Sequence, residues 1–172
     1  MYAPPEERHA EQRIFSMIIY ILAAVGAVAQ YAETLAMNVA GFVILALTGF
    51  MLKAQRLTAQ GTVYASHVIW VQRTMSIATN FLLPVSIAVI LYLVYKETDI
   101  RAVKSSFEAG ESRNLAEKIS LVRSYIARNE AKIDPIVTWS ITPPILWWVN
   151  RCWYGYRRAK KSEPIDFPDS LF

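Results

Sequence analysis

The sequence contains few of the residues with which enzymes usually do chemistry. It has one cysteine, Cys152, and two histidines, His9 and His67, among 172 residues. A single cysteine excludes an intrachain disulfide. No HExxH, GxSxG or P-loop pattern occurs, and two distant histidines do not suggest a haem or metal site. We therefore expect no catalysis and no cofactor.

Charged side chains are absent from four stretches, although they make up 19% of the chain. A helix needs about 20 mostly apolar residues to cross a bilayer, and three of the stretches are long enough. The fourth is shorter, but the aromatic residues that follow it can extend it into the interface. The pattern predicts an all-α integral membrane protein, one domain over residues 1–172, with transmembrane helices at about 14–32, 35–52, 74–95 and 135–153.

Basic residues beside the spans predict the topology. The first loop has no Lys or Arg, whereas residues 151–161 carry five, so both termini are expected in the cytoplasm of a bacterial inner membrane. The acidic residues Glu6, Glu7 and Glu11 favour a retained first span over a cleaved signal peptide. The net charge of +4 is attributed to this topology and to contact of residues 157–161 with anionic membrane lipid, not to nucleic acid.

The long third loop predicts an extracytoplasmic amphipathic helix over about residues 115–132. Asn114 and Glu117 fit a capping box, in which the two residues satisfy free N–H groups of the first turn. An apolar stripe follows at helical spacing, and it would face the membrane surface or a partner protein: Leu115, Ile119, Val122 and Ile126. The fourth span is then expected to begin at Asp134-Pro135, and residues 157–172 to form an extended tail.

Prolines interrupt two predicted spans near their middle. Pro84 lies in the third span, and Pro143 and Pro144 lie in the fourth. Such breaks can be simple kinks satisfied by neighbouring polar groups, here Asn80 and Thr142. Broken helices also form midplane binding sites in transporters. No acidic residue lies inside a predicted span, which argues against proton-driven transport.

The segment SHVIWVQRTM, residues 66–75, predicts an interfacial helix that leads into the third span. His67, Trp70 and Thr74 share one helical face, while Arg73 points elsewhere and can snorkel to lipid headgroups. The end of the fourth span lies on the same side of the membrane and is rich in tryptophan. We expect this face to form a structural cluster with residues there: Trp147, Trp148, Arg151 and Gly155.

Together these two segments resemble a signature of small four-helix bacterial inner-membrane proteins. The first motif reads Ser66-His67-x-x-Trp70-x-x-Arg73-Thr74, and the second reads Trp147-x-x-x-Arg151-x-x-x-Gly155, followed by Pro164-Ile165. The group is similar to a broader set that includes the chloroplast inner-envelope translocon component. This sequence departs from the pattern at Met75, where an aromatic residue is expected, and in the amphipathic helix of its third loop. The resemblance implies a four-helix fold and little chemistry.

Three hypotheses for function follow. The first is a non-catalytic accessory or assembly subunit of a bacterial inner-membrane complex, which would bind a larger membrane protein. The second is a transport or translocation component with a midplane site at the proline-broken helices. The third is a small-molecule or lipid sensor that uses the face of His67 and Trp70.

Overall fold

The structure, a computed structural model, describes residues 5–30, 34–98, 100, 104–105 and 114–168. Over these residues the chain is all-helical and contains no β-strand, which confirms the all-α part of the predicted fold class. The helices in chain order are α1 (Pro5–Ala29), α2 (Leu35–Thr58), α3 (Tyr64–Ile77), a π-helical segment (Ala78–Leu82), α4 (Leu83–Glu97) and α5 (Leu115–Lys160).

The chain divides into two compact units. Unit 1 consists of Met1–Leu82 and Pro144–Phe172, and unit 2 consists of Leu83–Pro143. The last part of α5 therefore belongs with α1, α2 and α3, and its first part belongs with α4.

Three helical stretches in the described part are long and apolar enough to cross a membrane. They are His9–Ala29, Ala36–Arg56 and Tyr64–Glu97, and they overlap the first three predicted spans. The fourth predicted span, residues 135–153, lies within α5 but is not among them. Its hydroxyl side chains and prolines gain little on transfer to hydrocarbon, so its mean hydropathy is lower than that of the other three.

In unit 1, α1 and α2 pack closely along small residues. A β-carbon added to Gly26 would lie 2.8 Å from the Leu45 side chain, and one added to Gly41 would lie 3.0 Å from the backbone oxygen of Gly26. Backbones can approach this closely only where side chains are small. Thr34 caps the start of α2, and residues 31–33, which include the end of the predicted first span and part of the first loop, lie outside the described residues.

The interfacial helix predicted before the third span is continuous with that span. α3 begins at Tyr64 and runs past residue 74, so the boundary predicted there falls inside a helix. The predicted interruption at Pro84 takes the form of the π-helical segment Ala78–Leu82 directly before it. Proline lacks an N–H and crowds the carbonyl four residues earlier, here that of Asn80, and a wider π turn relieves that crowding.

α5 is one helix of 46 residues, so the predicted division into an amphipathic helix and a separate fourth span is wrong. The helical conformation continues through Pro135 and through Pro143 and Pro144, although each proline removes one backbone donor. A proline inside a helix costs about 3 kcal/mol, but the helix is cooperative on both sides of each proline. The strong helix formers of residues 127–133 carry it past the position where proline predicts a new start.

In unit 2, α4 and the first part of α5 are joined by polar contacts. The hydroxyls of Thr98 and Tyr125 are hydrogen-bonded to each other and buried. The ammonium group of Lys132 donates to the carbonyl of Glu97 at 3.1 Å. These contacts tie the end of α4 to α5 and leave the side of α5 that carries Ile119 exposed.

The predicted cap at the start of α5 is present with one difference. The backbone N–H of Glu117 donates to Oδ1 of Asn114 at 3.0 Å, as a capping box requires. The Glu117 carboxylate then accepts from the side-chain amide of Asn114 at 3.3 Å instead of from its backbone N–H. The side chain of Asn114 therefore accepts one of these hydrogen bonds and donates the other.

Candidate functional site: a polar cluster between α3 and the end of α5

A buried tyrosine–histidine pair joins three segments of unit 1. The hydroxyl of Tyr20, on α1, lies 3.0 Å from Nδ1 of His67, on α3. Nε2 of His67 lies 2.9 Å from the backbone carbonyl of Glu163, in the segment that follows α5. Tyr20 and His67 are each 1% exposed, so the contacts form away from solvent.

The partners of His67 define the tautomer of its neutral imidazole ring. A backbone carbonyl can only accept, so Nε2 carries the proton and donates to Glu163. In the neutral ring Nδ1 is then an acceptor, and it receives the hydroxyl hydrogen of Tyr20. Both ring nitrogens are used by partners within the chain. The imidazole therefore connects α1, α3 and the C-terminal segment, and this geometry does not support a ligand-sensing role for His67.

A second buried group lies further along α3 and contains Trp70, Thr74 and Arg151. The indole N–H of Trp70 donates to the backbone carbonyl of Arg151 at 3.1 Å. Nε of Arg151 donates to the Thr74 hydroxyl at 3.0 Å, and that hydroxyl donates to the carbonyl of Trp70 at 2.8 Å. The three residues thus form a closed set of hydrogen bonds.

The guanidinium of Arg151 also stacks on an indole. Its Cζ lies 3.6 Å from the centroid of the Trp70 ring and 5.1 Å from that of Trp147. Arg151 is 3% exposed. A cation–π contact gains strength when it is desolvated, and a stacked guanidinium is more easily buried than an ammonium group. This geometry explains why an arginine can lie inside the cluster.

The order of these contacts shows that α3 and the end of α5 run in opposite directions. Along α3 the contacts come at Tyr64, His67, Trp70 and Thr74. Tyr64 and His67 reach residues 162 and 163, whereas Trp70 and Thr74 reach Arg151. The end of α5 therefore lies beside the start of α3.

The C-terminal segment folds back on α3 instead of extending away. α5 continues to Lys160, past the predicted start of the tail at residue 157. Ser162 then adopts a left-handed conformation with φ of 58°, which reverses the chain. Ile165 is buried, and its N–H donates to the Ser66 hydroxyl at 2.9 Å. The tail is held by its own chain, so the prediction of an extended tail is wrong for residues 157–168.

Arg158 fixes this C-terminal hook, which we define as residues 161–168. Its guanidinium donates to the carbonyl of Pro164 at 3.1 Å and to the carboxylate of Asp166 at 2.6 Å. A hydrogen bond with Tyr154 raises the pKa of Arg158 above its ordinary value, and Asp166 raises it further. The hook is therefore attached to α5 by Arg158 and to α3 by His67 and Ser66.

The remaining residues of the predicted cluster have different environments. Trp148 is buried in the core of unit 1, and Trp147 packs against that core. Gly155 lies directly against the ring of Tyr20. Arg73 is exposed, as its position on the other face of the helix predicts. The structure thus brings all the predicted cluster residues except Arg73 to the interior of unit 1.

The residues of the predicted midplane site are divided between the two units and bond locally. The Asn80 amide donates to the Ser76 hydroxyl at 3.1 Å, one turn back in the same helix. The Thr142 hydroxyl donates to the carbonyl of Thr138 at 2.6 Å. Pro84 and Pro143 belong to unit 2, whereas Asn80 and Pro144 belong to unit 1.

Sequence reasoning missed Tyr20 and the hook. A tyrosine hydroxyl within an apolar run has to find a partner when it is buried, and this is the signal that could have identified Tyr20. The hook gives no comparable signal, because its contacts with His67 and Ser66 use the backbone groups of Glu163 and Ile165.

Within the described residues, no group of three or more His, Cys, Asp or Glu side chains is placed to hold a metal ion. Compared with family models, curated proteins and solved structures, the chain shows no significant match. The resemblance to four-helix inner-membrane proteins stays a prediction.

Proposed function

We propose that this protein is a non-catalytic accessory or assembly subunit of a bacterial inner-membrane complex. One observation carries the proposal. The first part of α5 presents an apolar stripe to solvent, with Leu115 74% exposed and Ile126 48% exposed. These residues, with Ile119 and Val122, share one helical face by their spacing. A contiguous apolar surface on a helical segment whose other exposed residues are mostly polar is typical of a protein-binding site.

The polar cluster supports a structural role for unit 1, whereas the stripe belongs to unit 2. The side chains of His67, Trp70 and Thr74 are bonded within the chain, as described above. They hold α3, the end of α5 and the hook in fixed relation. Such a rigid core suits a subunit that presents a binding surface.

The proposal includes a fourth span and an orientation. Residues 135–153 of α5 would cross the membrane, with the stripe on the extracytoplasmic side and both termini in the cytoplasm. The basic residues 157–161 at the end of α5 support this orientation, because Lys and Arg beside a span favour the cytoplasmic side.

Copurification from native membranes in mild detergent, after crosslinking, tests the proposal. We expect the chain to be recovered with a larger membrane protein. The double substitution Ile119→Ser and Val122→Ser removes the centre of the stripe and should abolish that recovery. Arg123→Ala, an exposed change on the same part of α5, is the matched control and should retain the partner. Recovery of the wild-type chain as a lone monomer, with no crosslinked protein, would contradict the proposal.

A transport or translocation role is the second candidate, and the π-helical segment Ala78–Leu82 favours it. Such segments are rare and often occur at functional sites. Single cysteines at Asn80 and Thr142 should then react with a membrane-impermeant, polar thiol reagent. The wild-type chain is the control, because its sole cysteine, Cys152, is buried. Cysteines at both positions that stay unreactive would exclude a water-accessible site there.

A further inference from the structure

A groove of about 600 Å³ lies between the last turns of α5 and the hook. Its walls combine aromatic and cationic side chains, among them Trp153, Tyr154, Tyr156, Arg157, Lys160 and Lys161. All of them belong to unit 1.

Two of the cationic side chains in this groove are not paired with an acidic side chain in the described part of the chain. Arg158, which also lines the groove, is paired with Asp166 at 2.6 Å, and Lys161 lies 4.0 Å from Glu163. Arg157 and Lys160 form no ion pair within the described residues, and both are exposed. The groove therefore has a net positive charge and two cations available to an anion.

The aromatic wall is preformed beside these cations. The rings of Trp153 and Tyr156 are stacked, with centroids 5.8 Å apart and planes inclined by 13°. The Arg157 guanidinium lies 5.9 Å from the centroid of the Trp153 ring. An apolar wall under a cationic rim suits a molecule with an apolar part and an anionic head.

The groove also lies where an apolar helix begins. The hydroxyl of Tyr64 donates to the Ser162 hydroxyl at 3.1 Å, and Tyr64 is the first residue of the stretch Tyr64–Glu97. Tryptophan and tyrosine are enriched at this level of membrane proteins, where headgroups meet acyl chains. Clustered Lys and Arg at the same level attract anionic lipid.

We propose that this groove binds one anionic phospholipid through its headgroup phosphate. Arg157 and Lys160 contact the phosphate oxygens, and Trp153 and Tyr156 pack against the glycerol and the first acyl carbons. The hook forms one side of the groove, where Glu163 also lines it, and the two acids of the hook pair with Arg158 and Lys161. This site does not depend on the proposed accessory role, since it requires only that the protein lies in a membrane.

Native mass spectrometry of the purified full chain, titrated with phosphatidylglycerol or phosphatidylcholine, tests the site. We expect one phosphatidylglycerol to be retained per chain and phosphatidylcholine to be lost. The variant with Arg157→Gln and Lys160→Gln should bind phosphatidylglycerol about 30-fold more weakly, from about 1 kcal/mol for each charge at a membrane surface. Trp153→Ala should also weaken binding, although it removes no charge.

Lys53→Gln with Arg56→Gln is the matched control, because it removes two cations near the end of α2. It should leave binding of the single lipid unchanged. An equal loss in this control would show general attraction of anions to a basic protein and would overturn the proposal. Displacement of the lipid by millimolar inorganic phosphate would identify a free-anion site and would overturn it as well. Circular dichroism of each variant verifies that it is folded.

Discussion

The ring of Tyr20 occupies the space that a β-carbon at residue 155 would fill. Because Gly155 has no side chain, α1 can pack closely against the end of α5. The hydroxyl of the same tyrosine reaches His67. The absence of a side chain at residue 155 thus permits the buried hydrogen bond between Tyr20 and His67.

Gly155→Ala should destabilise the protein. Alanine favours a helix over glycine by about 1 kcal/mol, but overpacking typically costs about 1–3 kcal/mol. The clash also displaces Tyr20 from His67, so we expect a net loss of about 1–2 kcal/mol. Thermal unfolding in detergent, followed by circular dichroism, measures the effect.

Gly49→Ala is the control for that substitution. A β-carbon at Gly49 would lie 3.8 Å from Cε of Met75, which is an ordinary contact. Only the gain in helix propensity remains, so this variant should be as stable as the wild type or more stable. If Gly155→Ala and Gly49→Ala behave alike, the close contact with Tyr20 has no energetic importance.

His67→Phe should release the hook as well as destabilise the core. Phenylalanine fills the space but leaves the hydroxyl of Tyr20 and the carbonyl of Glu163 without their partner. An unsatisfied buried polar group costs about 1–3 kcal/mol. Brief trypsin treatment should then cut faster after Lys160 and Lys161, and mass spectrometry detects the shortened chain.

His9→Phe is the matched control, because His9 is exposed on α1 and forms no hydrogen bond within the described residues. It should leave both the unfolding temperature and the rate of cleavage unchanged. Wild-type cleavage kinetics in His67→Phe would contradict the role of His67 in holding the hook.

Arg151→Lys should lower stability although it keeps the charge. Lysine has no Nε–H placed to donate to Thr74, and its ammonium group cannot stack on Trp70 as a planar guanidinium does. A desolvated cation–π contact contributes about 2 kcal/mol, so a loss of about 2–3 kcal/mol is expected with the hydrogen bond included. Arg73→Lys, at an exposed position, should have no effect on the unfolding temperature. Equal stability of Arg151→Lys and the wild type would show that charge alone suffices at this position.

The sequence predicts those features that depend on local pattern. Charge-free runs locate three apolar helices, and the spacing of His67, Trp70 and Thr74 identifies one buried face. The contact between α3 and the tryptophan-rich end of α5 agrees with the expectation that both lie on one side of the membrane. The other two inferences use residues close in the chain or a periodic pattern.

Features that depend on tertiary contacts escape such reasoning. Tyr20 bonds to His67, which lies 47 positions away, and nothing around Tyr20 in the sequence indicates this partner. The hook depends on a non-glycine residue, Ser162, in a left-handed conformation that several contacts hold in place. Pro135 predicts a helix boundary by local rules, but the helix formers that precede it and the cooperativity of the helix outweigh the loss of one hydrogen bond.

Asn114→Ala should fray the first turns of α5 without unfolding the protein. Asn114 satisfies the N–H of Glu117 and also donates to its carboxylate, so its removal costs about 1 kcal/mol of helix stability. Opening of the first turns should then increase, and hydrogen exchange measured by mass spectrometry should be several-fold faster over residues 115–120. Ser120→Ala, an exposed change in the same turns, should leave exchange unaltered. Since the apolar stripe begins at Leu115, fraying would also weaken the binding of any partner at the stripe. Unchanged exchange in Asn114→Ala would mean that the contacts between α4 and α5 hold these turns and that the cap does not.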